Sequence, residues 1–367
     1  MSKNKRIIFM AAMSIALMFG FSHLFFPDFK TYNFERLHIF LFNLCTGGSA
    51  IIYFTEVEKL FSKKMYAFFI LSLAYAICAF FKIYLPAIFI SMLLAVIVES
   101  ERVKRFSFFP KAFFSLKEPV YDKFHQASLL CLSIGLLTSG FVMANNEFYT
   151  LITMPRLKLD VFFLGFSFPV SLITMSIMFN LMEENVGKIL ALMKEAGFWI
   201  VNLGVIIFFL FIIFEKLVFQ VYVTAILAGG VVMIFFLFKK LGRQLQQKNF
   251  LLSGMVFLLL TAVTGILYIF FEFLPSYNNE NFKWLLRLHA FVSLYGWNLS
   301  GLAVIMRYGN FPIKLNSSMV IALHWATVLV LAPLGYFYRF FSVPAVICYI
   351  VLLYIMLFSG GTEKAVG

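Results

Sequence analysis

Five histidines are the residues of this sequence best suited to chemistry, because a neutral imidazole can move a proton or bind a metal ion. His38, His289, His125 and His324 stand near the starts of apolar segments, and His23 follows the first such segment. Ionisable side chains at membrane depth are costly and therefore indicate function, whereas a histidine at the membrane interface costs little. Each histidine alone is most simply interpreted as an interfacial or helix-capping residue.

Two of the histidines, His38 and His289, end the same tripeptide, Arg-Leu-His, at positions 36–38 and 287–289. A related Arg-Leu-Lys occurs at positions 156–158. The three tripeptides open the second, sixth and tenth predicted membrane spans, a regular spacing of four spans. This spacing suggests three four-helix units, and it argues against a transporter built from two six-helix halves.

Two matched histidines on neighbouring helices could be the axial ligands of a six-coordinate, low-spin haem iron. Gly48 and Gly296 follow the histidines along the chain and would let a flat macrocycle approach the backbone. Arg36 and Arg287 could pair with haem propionates from the helix ends, although residues i and i+2 lie on different helix faces. The alternative is a pair of interfacial helix starts with no cofactor.

The helices that must position these histidines cross a membrane. Of the 367 residues, 62% are apolar and only 13% are charged, about half of the roughly 25% found in soluble domains. A soluble protein of this size cannot bury so much apolar surface. In a membrane protein, an excess of Lys and Arg usually marks the cytoplasmic loops, which accounts for the net charge of +13. Nucleic acid is therefore excluded as a partner.

Windows of about 20 apolar residues predict an all-α polytopic bundle of about twelve transmembrane helices. The predicted spans lie near 6–26, 37–54, 65–81, 84–98, 124–144, 159–182, 196–214, 217–238, 250–271, 284–306, 317–338 and 340–358. With both termini in the cytoplasm, the inner loops hold most of the 30 Lys and Arg residues, as the positive-inside rule requires. The chain is predicted to be a single integral membrane domain, 1–367, in a bacterial inner membrane.

Twelve helices in three arcs, with matched histidines on helices 2 and 10, resemble the catalytic subunit of haem-copper oxidases. The resemblance implies a low-spin haem b between those helices, with His38 as the helix 2 ligand. The family carries His-x-His on helix 10, and its second histidine is the ligand. Here the first aligns with His289 and the second falls on Phe291, so either the register has shifted or His289 has taken over that role.

The sequence departs from that family at the copper site. The family's copper ligands lie on helices 6 and 7, and the corresponding spans here contain no histidine. A copper-containing, oxygen-reducing centre is therefore not expected, and we expect no terminal oxidase activity. The expected role is electron transfer, with a quinol or a cytochrome as partner, or the sensing or handling of a diatomic gas.

His125 and His324 lie towards the predicted inner side and could hold a second haem. His125 stands about two residues into its predicted helix and His324 about seven. At roughly 1.5 Å per residue this leaves about 8 Å of mismatch in depth. The rival to a haem protein is a cofactor-free membrane transporter, which predicts a colourless protein with a polar cavity near the bilayer midplane.

Overall fold

The computed structural model describes residues 1–26, 32–56, 63–154, 156, 163–244, 247–274, 277–309, 311 and 317–360. These residues form helices joined by turns and loops, and the loop after Arg105 contains a short 3₁₀ helix, Lys111–Phe114. The described part of the chain contains no β-strand, and its only extended pairing is an isolated antiparallel bridge between Met182 and Gly242. The prediction of an all-α fold is confirmed.

Eleven of the helices in the described residues are long and apolar enough to cross a membrane, and a shorter apolar helix accompanies them. In chain order they are α1 Lys3–Leu24, α2 Phe34–Thr55, α3 Lys63–Phe80, α4 Tyr84–Arg105, α5 Val120–Tyr149, α6 Gly165–Asn180 (the shorter one), α7 Lys188–Ile213, α8 Leu217–Leu241, α9 Lys248–Phe271, α10 Asn281–Met306, α11 Ser318–Phe337 and α12 Arg339–Phe358. The chain is an integral membrane protein with the predicted polytopic helical bundle.

The turns between closely spaced helices fall where charged residues interrupt the apolar sequence. Lys82 separates α3 from α4 with a φ of 60°, and Glu215 separates α7 from α8 with a φ of 54°. A left-handed residue just past a helix end is a common way to stop a helix and turn the chain. Between α11 and α12 the chain turns instead through the extended backbone of Tyr338.

The chain forms two compact units, whose boundary along the sequence falls inside α6. Unit 1 comprises Met1–Glu118 and Asp122–Ile173, and unit 2 comprises Pro119–Tyr121 and Thr174–Gly367. In unit 1, α1 packs against α2, α2 against α3, and α3 against α4. In unit 2, each of the helices α7 to α10 packs against the next, and α11 packs against α12.

Several helices begin earlier than predicted, and the largest difference is at α7, which begins at Lys188 instead of position 196. Helix α10, which contains His289, has begun by Asn281, ahead of the predicted position 284, because polar residues precede its apolar span. The tripeptide 287–289 therefore lies inside the helix instead of opening it. The sixth helix was predicted from residue 159, but 157–162 lie outside the described residues, as does most of the tripeptide 156–158.

Helices α2, α10 and α11 share a backbone course. Each changes from α-helix to π-helix just after its histidine and then returns to α-helix. The π-helical segments are Phe40–Gly48 in α2, Val292–Asn298 in α10 and Thr327–Leu331 in α11. Segments of π-helix occur often at functional sites, but this feature does not distinguish His38 and His289 from His324.

Candidate functional site

His38 lies in unit 1 against the preceding helix, α1. Its side chain is buried, with 7% of its surface exposed. The Nδ1 atom lies 3.1 Å from the carbonyl oxygen of Ala16. Gly20 stands one helical turn further along α1, and a Cβ atom at this position would lie 2.8 Å from the same Nδ1 atom. The imidazole can therefore approach α1 this closely because residue 20 has no side chain.

His289 has an equivalent environment in unit 2. Its Nδ1 atom lies 3.0 Å from the carbonyl oxygen of Thr261 on α9, the helix that precedes its own. The Thr264 hydroxyl lies 3.2 Å from the same nitrogen. A Cβ atom added to Gly265 would lie 3.3 Å from the Cε1 atom of His289. Glycine again stands four residues after the carbonyl that the imidazole contacts.

The two histidines thus share one local design. In an α-helix, the carbonyl of residue i accepts a hydrogen bond from the amide of residue i+4, and its second lone pair remains available. Ala16 and Thr261 use this second lone pair for the imidazole. The residue at i+4, Gly20 or Gly265, lacks the Cβ atom that would otherwise cover the approach to the carbonyl. Each ring is therefore held by its own unit.

The hydrogen bond to a carbonyl fixes the tautomer of each ring. A carbonyl oxygen can only accept, so Nδ1 of His38 and of His289 must donate the proton. In the neutral ring, Nε2 then carries the lone pair. A hydrogen bond from one ring nitrogen to a backbone carbonyl is the usual partner of a histidine that binds a metal through the other nitrogen. The chemistry of both side chains therefore fits an axial ligand of haem iron.

Arg36 and Arg287 point away from these histidines. Arg36 lines a cavity of unit 1 together with residues of α3, α4 and α5. The Arg287 guanidinium lies 5.1 Å from the centre of the Tyr336 ring on α11, a cation–π contact. In each tripeptide the histidine faces the preceding helix and the arginine faces later helices, as the i, i+2 spacing dictates. The structure therefore does not bring either arginine beside its histidine.

The space beside Gly48 and the space beside Gly296 are filled by aromatic rings of their own units. A Cβ atom at Gly48 would lie 2.7 Å from Phe68, and one at Gly296 would lie 2.4 Å from Phe257. The absence of a side chain at these positions thus makes room for phenylalanine packing. The glycines that clear space for the histidines are Gly20 and Gly265, on the helices before.

The inner histidines use the opposite ring nitrogen. His125 of unit 1 contacts the Thr55 hydroxyl through Nε2 at 2.8 Å, and this hydroxyl in turn donates to the Ile51 carbonyl. Because the threonine proton is used there, Nε2 of His125 is the donor. The ring stacks on Phe54 with centroids 5.5 Å apart and contacts the edge of Phe106. His125 is therefore held as a packed core side chain.

His324 is enclosed in the same manner in unit 2. Its Nε2 atom donates to the carbonyl oxygen of Tyr295 at 2.6 Å. Its ring packs against Phe250 and Phe257, with centroids 5.7 and 4.8 Å apart. The side chain is fully buried, and its Nδ1 atom has no hydrogen-bond partner among the described residues. The nitrogen that usually binds haem iron is thus engaged in both inner histidines.

Sequence reasoning identified His38 and His289 but missed the residues that orient them: Ala16, Gly20, Thr261 and Gly265. No sequence signal singled these residues out, since α9 contains a second glycine, Gly254, that does not contact His289. No group of three or more His, Cys, Asp or Glu side chains that could hold a metal ion occurs in the described part of the chain.

Comparisons of the chain with models of protein families, with characterised proteins and with solved structures found no match. The class that fold and composition define is that of a polytopic α-helical integral membrane protein. Any more specific function depends on the chemistry of its own residues.

Proposed function

We propose that this protein is a haem-binding membrane protein that transfers electrons, with His38 and His289 as the axial ligands of one b-type haem. The observation that carries the proposal is the matching environment of the two histidines. Each Nδ1 atom donates to a carbonyl of the preceding helix, at 3.1 Å for His38 and 3.0 Å for His289. Each ring is thereby oriented before any cofactor binds, with Nε2 as the lone-pair nitrogen.

Burial adds to this argument. A buried imidazole that serves only to fill a core needs no particular tautomer, and its two nitrogens can be satisfied in any order. Here two histidines on different helices present the same nitrogen to the same kind of partner, beside a glycine in each case. A shared ligand requirement accounts for this repetition more directly than two independent packing solutions do.

The inner histidines are a weaker candidate pair. His125 and His324 both use Nε2 as a donor within their own units. Ligation through Nε2 would require each to break that hydrogen bond and change tautomer. We therefore propose one haem and not two, and we assign His125 and His324 to packing.

Two histidine ligands fill both axial positions of haem iron, which suits electron transfer better than the binding of a gas. When bound, the haem would supply a one-electron redox couple. The protein's own contribution would be to fix the two imidazoles and to shield the site with apolar side chains. The electron partner would be a membrane quinol or a cytochrome, and the membrane a bacterial inner membrane. No copper is part of the proposal.

The deciding experiment is an absorption spectrum of the purified protein, expressed with a supply of haem and recorded before and after dithionite reduction. We expect the sharp reduced bands of a low-spin b-type haem. These bands should be lost in His38→Ala and in His289→Ala, and they should persist in His23→Ala, whose Nδ1 atom contacts the Gly20 carbonyl of its own helix. Exogenous imidazole should restore low-spin bands to the His38→Gly and His289→Gly variants, which separates ligand loss from misfolding.

A well-folded protein that stays colourless under haem-replete expression would reject the haem proposal. The cofactor-free transporter would then be the leading function. Helical content and size-exclusion behaviour, measured on the same samples, establish that the protein is folded.

A further inference from the structure

Unit 1 contains a cavity of about 140 Å³ at the end of its helices opposite Lys3, which is the predicted outer side. Its wall is formed by α2, α3, α4 and α5 and is mostly apolar. All of its lining residues belong to unit 1. It is separate from the environment of His38, because His38 contacts α1 whereas this cavity lies on the opposite face of α2.

The mouth of the cavity is polar and carries more positive than negative charge. Arg36 and Lys82 contribute two cations and Glu147 one carboxylate, and all three side chains are exposed. Glu147 interacts with the hydroxyl of Tyr84, another residue of the mouth. An anionic group at the mouth would therefore meet a net positive charge supplied by two different elements.

The inner part of the cavity is apolar except for one pair of hydroxyl groups. Leu37 and Phe40 of α2 and Val142 of α5 line it and are buried. Deeper in, the Tyr75 hydroxyl donates to the Ser139 hydroxyl at 3.1 Å, and Ser139 donates to the Leu136 carbonyl at 2.9 Å. Since the Tyr75 proton is used in this chain, its oxygen remains an acceptor towards the cavity.

The size of the cavity limits its occupant. An apolar cavity of about 150 Å³ is large enough to hold a benzene ring. A volume of about 140 Å³ is therefore enough for a single ring or a short alkyl chain inside the cavity. The apolar wall would contact the apolar part of such a ligand, and the charged mouth would bind an acid group at one of its ends.

We propose that this cavity binds an anionic amphiphile, with its acid group between Arg36 and Lys82 and its ring-sized or short-chain apolar part against Leu37 and Phe40. The acid group could belong to a small soluble carboxylate or to the headgroup of an anionic lipid. The proposal is independent of haem, since none of the cavity's residues is a proposed ligand of the iron.

The test uses benzoate as the probe and the full-length protein in nanodiscs of neutral phosphatidylcholine. Equilibrium dialysis with labelled benzoate should show saturable binding, and benzamide, which has the same ring but no charge, should bind at least tenfold more weakly. Arg36→Gln and Lys82→Gln should each weaken benzoate binding about tenfold, the loss expected for one charge-assisted hydrogen bond. Lys216→Gln, at the exposed turn before α8, is the matched control and should bind as the wild type does.

A second variant tests the cavity itself. Ala79→Phe places a ring in the cavity wall and leaves every charge at the mouth unchanged. It should abolish benzoate binding while the protein keeps its helical content and size-exclusion behaviour. Nanodiscs that contain phosphatidylglycerol distinguish the two sources of the acid group: competition with benzoate supports a lipid headgroup, and its absence supports a soluble carboxylate.

Three results would overturn the proposal: no saturable benzoate binding to the wild type, equal binding of benzoate and benzamide, or wild-type affinity in Ala79→Phe. None of them bears on the haem, because the spectra of the same samples report that site separately. A wild-type protein that shows no haem bands but binds benzoate would reject the proposed function and would still support this inference.

Discussion

The Nδ1 atom of His289 lies 3.0 Å from the carbonyl oxygen of Thr261, a carbonyl that also belongs to the hydrogen-bond ladder of α9. His38 has the same relationship to Ala16 of α1. In both helices the glycine four residues further on uncovers the carbonyl. A single pattern, a carbonyl at i and glycine at i+4, thus orients two histidines that are 251 positions apart in the sequence.

The number of haems per chain follows from which ring nitrogen each histidine uses. Because His125 and His324 donate through Nε2 within their own units, His125→Ala and His324→Ala should retain one full haem per chain. Each should lower stability by about 1–3 kcal/mol, since a buried hydrogen-bond partner is left unpaired. Haem content is measured by pyridine haemochrome against protein concentration. Bands that halve in either variant would show that the inner pair also holds a haem.

The glycines beside the outer histidines should respond to substitution in a graded way. A Cβ atom at residue 20 would lie 2.8 Å from Nδ1 of His38, whereas one at residue 265 would lie 3.3 Å from Cε1 of His289. Gly20→Ala must therefore displace the His38 imidazole from the Ala16 carbonyl. Gly265→Ala requires the His289 ring to move by only a few tenths of an ångström. We expect Gly20→Ala to broaden the low-spin bands and shift the reduction potential, and Gly265→Ala to change both much less.

The control for both glycine variants is Gly229→Ala. Residue 229 lies in α8 with no atom within 4 Å of an added Cβ. This change should leave the spectrum unaltered and stabilise the helix by about 0.5–1 kcal/mol. Equal spectral effects at residues 20 and 265, or none at residue 20, would contradict the orienting role of the two glycines.

Sequence reasoning predicted most of the helices because apolar length is a strong signal for a membrane span. It also placed the turns at Lys82 and Glu215 correctly, since a charge between two apolar segments marks the point where the chain leaves the membrane. The beginning of the helix that carries His289 was predicted too late. Its first turns are polar, and hydropathy does not distinguish a polar helix from a loop.

The candidate site was less accessible to sequence reasoning. The types and positions of His38 and His289 singled them out, and their i, i+2 spacing from Arg36 and Arg287 already implied opposite faces. The partners of the histidines could not be derived, because the helix face that meets an imidazole depends on how neighbouring helices pack. For the same reason, Gly48 and Gly296 were assigned to a cofactor although Phe68 and Phe257 fill the space beside them.

The close approach of α5 and α6 in unit 1 predicts that one glycine substitution will be severely destabilising. A Cβ atom at Gly135 of α5 would lie 2.1 Å from the Cα atom of Gly165 at the start of α6. Because the obstacle is backbone, it cannot move aside as a side chain could. We expect Gly135→Ala to lower stability by about 3 kcal/mol or more, measured by thermal unfolding in detergent.

Gly140→Ala, on the same helix, is the matched control for that variant. Its added Cβ would lie 2.7 Å from Ser91 Oγ and 3.0 Å from Met92 Cε, with the Ile88 carbonyl oxygen at an ordinary contact distance of 3.8 Å. The two close atoms belong to side chains that can shift, although Ser91 would weaken its hydrogen bond to the Ile88 carbonyl, so the loss should be about 1–2 kcal/mol. Similar losses for the two variants would show that α5 and α6 can separate at little cost.

The segment after α4 provides a test of both local structure and topology. The Arg102 guanidinium is almost completely buried and donates to the carbonyl oxygens of Ser107 and Phe108, at 2.9 and 3.0 Å, while it also pairs with Glu99. A planar guanidinium can satisfy three partners at once, whereas a lysine ammonium cannot match this fixed geometry. Arg102→Lys should therefore loosen residues 106–109, whose phenylalanines are substrates for chymotrypsin.

Limited proteolysis of membrane vesicles measures this effect. We expect chymotrypsin to cleave Arg102→Lys several times faster than the wild type, and only in inside-out vesicles, because the positive-inside rule places this loop in the cytoplasm. Lys104→Gln, an exposed neighbour on the same helix end, should be cleaved at the wild-type rate. Faster cleavage in right-side-out vesicles would show that the orientation is opposite to the predicted one. The cavity of unit 1 would then face the cytoplasm, and its occupant would be a soluble carboxylate from the cell interior.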